Sequence, residues 1–212
     1  MRTVYVHRRV WKGIAYGTLG IFLILFFLVI TAWTPLAQLD VAVVHFLATH
    51  RFLMLTDVAL LATELGSFVV IATVGLTSTL FLLGARHHLA TAFMATFFGS
   101  AATFGVIKFL VERTRPEDAL AGYTALFSSF PSGHVSMATA LYGALALVLT
   151  HHVSPKQHRF MYGGAITLIL LVAWSRMYLG VHYPSDVLAG CMLGVFWIAI
   201  GKLVELEVIR FS

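Results

Sequence analysis

Six uninterrupted apolar runs constrain this chain more than any motif does. They cover about residues 13–33, 60–83, 89–110, 131–150, 160–178 and 186–204. A helix that crosses a bilayer needs roughly 20 mostly apolar residues. The runs are continuous rather than alternating, so a membrane β-barrel is excluded. Charge is scarce: 59% of the 212 residues are hydrophobic and 11% charged, against about 25% charged in soluble domains. Such a chain cannot coat a water-facing surface. The reading is all-α: a polytopic membrane protein of six spans, with residues 1–212 as one unit. The basic start followed by Gly13–Trp33 has the outline of a signal peptide. That run is 21 uncharged residues long, and Ala32-Trp33-Thr34 is a poor cleavage site, so it reads as a retained first span. The single cysteine, Cys191, forms no intramolecular disulfide.

Lysine and arginine orient the bundle, because they are kept on the cytoplasmic side. With the N-terminus inside, nine fall inside: Arg2, Arg8, Arg9, Lys12, Arg86, Lys156, Arg159, Lys202 and Arg210. Five fall outside: Arg51, Lys108, Arg113, Arg115 and Arg176. Both termini are therefore expected in the cytoplasm, in a plasma (inner) membrane. Topology accounts for the net charge of +5 without a nucleic-acid partner. The stretch 34–56 reads as an amphipathic helix on the outer interface, with Leu36, Leu39, Val43, Phe46 and Leu47 at helical spacing and Asp40 and His45 between them. Tyr123, Phe127 and Phe130 suit the same level. The pairs Gly13/Gly17 and Gly190/Gly194 suit close helix packing.

Three polar clusters do not suit a plain membrane anchor, and all belong to the outer face. In the first, Lys108 and Arg115 stand seven apart, two helical turns, with Pro116 ending the helix. Two cations that cannot neutralise each other call for an anion. Snorkelling and a local pair with Glu112 would be the plain explanation. The second cluster, Phe130-Pro131-Ser132-Gly133-His134, opens the fourth span. Ser132 suits an N-cap, Gly133 admits a ligand close to the backbone, and the free N–H groups of the helix form an anion site. The third runs from Ser175 and Arg176 to His182 and Asp186. Ser185 is expected to cap the last helix. A carboxylate that accepts the Nδ1–H of His182 leaves its other ring nitrogen as a lone-pair donor.

Taken together, these residues describe phosphoryl transfer. Lys108, Arg115, Arg176 and the Ser132–Gly133 backbone supply donors around a phosphoryl group. His182 attacks, Asp186 orients it, and His134 protonates the leaving oxygen. Glu64, inside an apolar run beside Asp57 and Gly66, is a weaker candidate and suits structural hydrogen bonding.

The pattern KxxxxxxRP (Lys108 to Pro116), PSGH (Pro131 to His134) and SRxxxxxHxxxD (Ser175 to Asp186) resembles the type 2 phosphatidic acid phosphatase (PAP2) family of lipid phosphate phosphatases. Each motif by itself is weak; the three in order are specific. The resemblance implies a phosphatase with a phosphohistidine intermediate and no metal or other cofactor, with Ser132 and Ser175 as minor contributors. It also implies substrates such as phosphatidylglycerol phosphate, undecaprenyl diphosphate or phosphatidic acid. A lipid phosphotransferase using the same phosphohistidine is the alternative. An anion transporter would scatter polar residues through several spans, whereas these gather at one face.

Overall fold

The computed structural model describes residues 2–120 and 128–211, except for the side chains of residues 2–6 and 211. Tyr123 and Phe127 lie outside the described residues. The helices are α1 (Arg2–Ile30), α2 (Thr34–Thr49), α3 (Leu53–Glu64), α4 (Phe68–Ala85), α5 (His87–Leu110), α6 (Gly133–Thr150), α7 (His158–Tyr178) and α8 (Pro184–Phe211). A 3₁₀ turn at Pro155–Gln157 precedes α7, and no strand occurs among the described residues. Six segments are long and apolar enough to cross a membrane, in agreement with the all-α, six-span expectation.

The boundaries between α2 and α4 differ from that expectation. The amphipathic helix ends at Thr49 rather than continuing to 56. The Thr49 hydroxyl donates to the carbonyls of His45 and Phe46, both at 3.0 Å, and His50 Nδ1 lies 2.8 Å from the Phe46 carbonyl. These local bonds occupy the last acceptors of the helix, and Phe52 is extended. The second apolar segment then begins at Leu53 and is interrupted at Leu65–Ser67. Ser67 restarts it as the N-cap of α4, accepting from Val70 N at 3.4 Å. Helix α4 has 18 residues, about 27 Å at 1.5 Å per residue, close to the hydrocarbon thickness of about 30 Å.

Helix α8 packs against α1, α5 and α6. Gly190 and Gly194 permit its approach to α6: a Cβ on Gly190 would stand 2.7 Å from the Ser132 carbonyl, and one on Gly194 2.9 Å from that of Ser136. Gly13 and Gly17 do not play the expected part, since a Cβ on either would meet nothing within 4 Å. Buried polar links join other helices. Ser100 Oγ and Ser136 Oγ lie 2.9 Å apart, and Trp197 Nε1 donates to Thr103 Oγ1 at 3.1 Å. At one end of the bundle, Lys202 and His151 meet Glu205, and Arg8 meets Glu207. The opposite end gathers the last turns of α5 and α7 and the first turns of α4, α6 and α8.

Candidate active site

At that opposite end, four segments deliver the polar residues. Lys108 occupies the last turn of α5. The helix stops at Leu110 and Val111 is extended, so Arg115 does not share a helical face with Lys108 as its spacing suggested. Serines from 128–129 hold the extended stretch instead. Arg113 N donates to Ser128 Oγ at 3.2 Å, Ser129 N to the Arg113 carbonyl at 2.9 Å, and Ser129 Oγ to the Thr114 carbonyl at 3.1 Å. Ser132 occupies the N-cap position of α6 but makes no capping bond, and its buried hydroxyl has no hydrogen-bond partner among the described residues. Gly133 leaves room for its neighbours: a Cβ there would stand 3.1 Å from the Phe104 ring and 3.6 Å from Lys108 Cε.

The turn between α7 and α8 places His182. Gly180 adopts φ +71, where a Cβ would stand 2.5 Å from the Asp118 carbonyl and 2.7 Å from Arg51 Nη2; both the backbone angle and the space call for glycine. Arg51 braces the turn, with Nε donating to the Tyr178 carbonyl and Nη2 to the Asp118 carbonyl, each at 2.8 Å. The His182 amide donates to the Arg176 carbonyl at 3.3 Å.

A cavity of about 540 Å³ opens here. Its polar end is lined by Lys108, Arg115, Gly133, His134, Arg176 and His182. The remainder runs between α4 and α5, past Phe68, Ile71, Leu76 and Phe97. Six of the eight expected site residues therefore share one cavity, and the other two, Ser132 and Asp186, are fully buried beside it. Each cation is anchored on a neutral oxygen. Lys108 Nζ donates to the Ser128 carbonyl, Arg115 Nη1 to the Val181 carbonyl and Arg176 Nη1 to Thr63 Oγ1, all at 2.6 Å. Glu112 is exposed, and Lys108 turns to Ser128 instead.

His182 is 2% exposed. Its Nδ1 lies 3.6 Å from Asp186 Oδ2 and its Nε2 3.5 Å from Arg115 Nη1. One ring nitrogen thus faces the carboxylate and the other the cationic end of the cavity. Burial pushes the His182 pKa down to about 4, against the pull of Asp186. The ring is accordingly neutral at physiological pH, the form that carries a free lone pair. Apo contacts of this kind are often long and tighten once substrate is bound.

Several expectations need correction. Ser185 does not cap α8 through its own side chain. Its amide donates to Asp40 Oδ1 at 3.0 Å, and the Tyr183 amide to Asp186 Oδ2 at 2.9 Å, so two carboxylates satisfy the start of the helix. Ser175 Oγ is bonded to the Val172 carbonyl of its own helix at 2.7 Å. Glu64 is exposed and does not line the cavity. Four residues were given no part in the site by the sequence: Asp40, Thr63, Gly66 as a neighbour of His134, and Arg113 as a partner of Asp186.

A family model described as the PAP2 superfamily matches residues 87–208. Phosphatidylglycerophosphatase B of Bacillus subtilis (strain 168) is 37% identical over 108 residues, covering 50% of this chain and 53% of that protein. Undecaprenyl-diphosphatase of Sulfolobus acidocaldarius is 45% identical over 71 residues, covering 34% of this chain and 30% of that protein. The matched stretch is thus about half the length of the first relative and less than a third of the second. The crystal structure of the transmembrane PAP2 type phosphatidylglycerolphosphate phosphatase from Bacillus subtilis superimposes with a TM-score of 0.79 at 27% identity, covering 93% of this chain and 100% of that one.

Proposed function

The chain belongs to the PAP2 superfamily, and on that premise we propose that it is an integral membrane lipid phosphatase acting through a phosphohistidine at His182. The observation that carries this reading is the cavity itself. One end offers His182 Nε2 beside Arg115, with Lys108, Arg176 and His134 around it; the other is an apolar groove between α4 and α5. A phosphate headgroup fits the first and a hydrocarbon chain the second.

In the first step, His182 Nε2 attacks phosphorus and the bond to the leaving oxygen breaks. His134 gives that oxygen a proton. Lys108, Arg115, Arg176 and the N-terminal N–H groups of α6 meet the charge on the equatorial oxygens. In the second step, His134 takes a proton from water, the water oxygen attacks phosphorus, and the P–N bond breaks. Inorganic phosphate leaves and His182 returns to its neutral form. Substrates of the phosphatidylglycerol phosphate, undecaprenyl diphosphate or phosphatidic acid type suit this cavity, and the likeness to a phosphatidylglycerophosphatase and an undecaprenyl-diphosphatase supports the first two. The donors to phosphate are nitrogen cations rather than carboxylates holding a metal, so activity is expected without added metal.

The test is phosphate release by purified protein from a panel of lipid phosphates, with EDTA and with an acceptor lipid present or absent. Release that persists in EDTA, is blocked by vanadate and is accompanied by a trapped phosphoenzyme lost in His182→Ala supports the reading. Restoration by Mg²⁺ after chelation overturns the mechanism, and transfer to the acceptor in place of release makes the protein a phosphotransferase. The lysine and arginine distribution supports a site on the outer face of the plasma membrane. With Cys191→Ala as background, a cysteine replacing exposed Glu117 should react with an impermeant thiol reagent in intact cells, and one replacing Gln157 should not.

A further inference from the structure

Asp40 lies on α2, outside the residues that match the family model, yet it is fully buried at the start of α8. It accepts from three donors: Ser185 N at 3.0 Å, Ser185 Oγ at 2.5 Å and Arg113 Nη2 at 2.7 Å. Arg113 turns its other nitrogen, Nη1, to Asp186 Oδ1 at 2.5 Å and to Ser185 Oγ at 2.7 Å. The second oxygen of Asp186 accepts the Tyr183 amide and faces His182 Nδ1. Neither Asp40 nor Arg113 lines the substrate cavity.

We propose that Asp40 and Arg113 are positioning residues for the reaction: a carboxylate–guanidinium clamp that holds Asp186 with one oxygen fixed and the other presented to His182. The inference rests on the reading of His182 as nucleophile and Asp186 as its orienting partner.

The division of labour on Asp186 follows from the geometry. Carboxylate rotation would move Oδ2 away from His182; Arg113 on Oδ1 prevents it. A guanidinium donates along a rigid fork and bridges two acceptors at fixed separation, which an ammonium group does not reproduce. The charges also have a purpose. Asp40, Arg113 and Asp186 together carry one net negative charge. When His182 Nε2 takes the phosphoryl group while Nδ1 keeps its proton, the ring becomes cationic, and that net charge opposes it. Without the Asp40 charge, Arg113 would cancel Asp186 and leave the cationic ring uncompensated. Burial disfavours the Arg113 charge, but Asp186 and Asp40 outweigh it and raise its pKa above the ordinary arginine value. The cation of the clamp is therefore permanent. Partners standing behind the groups that do chemistry typically change activity by roughly 10- to 100-fold when removed.

The experiment is a pair of double-mutant cycles on the full-length protein in detergent, Asp40→Asn with Asp186→Asn and Arg113→Gln with Asp186→Asn. Values of kcat and KM are measured on one lipid phosphate, and folding is checked by gel filtration and thermal unfolding. Each clamp variant should lower kcat roughly 10- to 100-fold while leaving KM within about twofold, because the substrate cavity is untouched. Added to Asp186→Asn, each should cost little more, since the effect passes through Asp186. Wild-type kcat in both clamp variants, or losses that multiply with that of Asp186→Asn, overturns the clamp. If both clamp variants misfold while Asp186→Asn folds, the pair is a folding element and the positioning claim is rejected. A fully active Asp186→Asn instead overturns the catalytic reading on which the clamp rests.

Discussion

His182 Nε2 lies 3.5 Å from Arg115 Nη1, and the same guanidinium nitrogen donates to the carbonyl of Val181 at 2.6 Å. The residue before the histidine thus anchors the cation that faces the histidine. A phosphoryl group entering at Nε2 would meet a guanidinium already held in place, so little reorganisation would accompany charge development. Loss of one such preorganised donor typically costs about 10²–10³ in kcat. Arg115→Gln should show a loss of that order in steady-state kinetics. Arg115→Lys should recover little of it, because a lysine cannot hold the Val181 carbonyl and bridge phosphoryl oxygens together. Recovery of most of the activity by lysine would reduce Arg115 to a point charge.

The protonation state of His182 gives a second test. Only the neutral ring has the lone pair that the proposed attack needs. Burial lowers its pKa to about 4, with Asp186 pulling the other way. The nucleophilic form should therefore remain nearly complete as pH falls to about 5, and be lost only on acidification through about 4. An ordinary histidine would lose it near 6.5. NMR of protein labelled with ¹³C-histidine, with the His182 resonance assigned by its absence in His182→Gln, reads this without interference from ionisation of the substrate. A midpoint near 6.5 would show that burial does not control the nucleophile.

The spans and the three motifs are legible in the sequence because their signals are local. An apolar run long enough for the bilayer is visible in any window, and His182 and Asp186 stand four apart. The clamp is not local: Asp40 and Arg113 are separated by 73 positions, as are Arg113 and Asp186. A faint signal did exist. Asp40 falls on the same helical stripe as Leu36, Val43 and Leu47 (i, i+4, i+7, i+11), where a carboxylate is costly unless something pairs with it. The Lys108–Arg115 spacing misled for a related reason. It fits two turns of helix, but the chain leaves the helix at Leu110, where the serines at 128 and 129 take over its hydrogen bonds. Those partners are tertiary and leave no trace in the spacing.

Gly66 tests whether the break between α3 and α4 matters to the site. A Cβ there would stand 2.7 Å from Val172 Cγ1 and 3.3 Å from His134 Cβ. Val172 is fully buried and has little room to yield. Gly66→Ala should destabilise the protein by about 1–3 kcal/mol, the usual range for an overpacked core, and lower kcat by displacing His134. Val172→Ala removes the closest clash and should restore part of the activity in the double variant. Thermal unfolding in detergent and turnover on one lipid phosphate measure both effects. A Gly66→Ala protein with unchanged turnover would separate this contact from catalysis.

The two histidines can be told apart by their leaving groups. If His182 is the nucleophile, His182→Ala should abolish turnover and any trapped phosphoenzyme together, since the atom proposed to take the phosphoryl group is gone. His134→Ala would instead remove the proposed proton donor. The alkoxide expelled from a lipid monophosphate is a strong base and leaves poorly without a proton. The phosphate expelled from a diphosphate, or a nitrophenolate, stabilises its own charge far better. General acid assistance is typically about 10²–10⁴-fold, so His134→Ala should lose most on the lipid monophosphate and much less on the activated substrates. His134 also lines the cavity beside Lys108 and Arg176, so some loss should appear on every substrate through weaker phosphate binding. The informative quantity is the ratio of losses across leaving groups, measured with the rate of phosphoenzyme formation from each. A steep dependence on leaving-group basicity identifies the general acid. A uniform loss with normal phosphoenzyme levels would reduce His134 to a phosphate ligand, and the proton would then have to come from water entering the cavity.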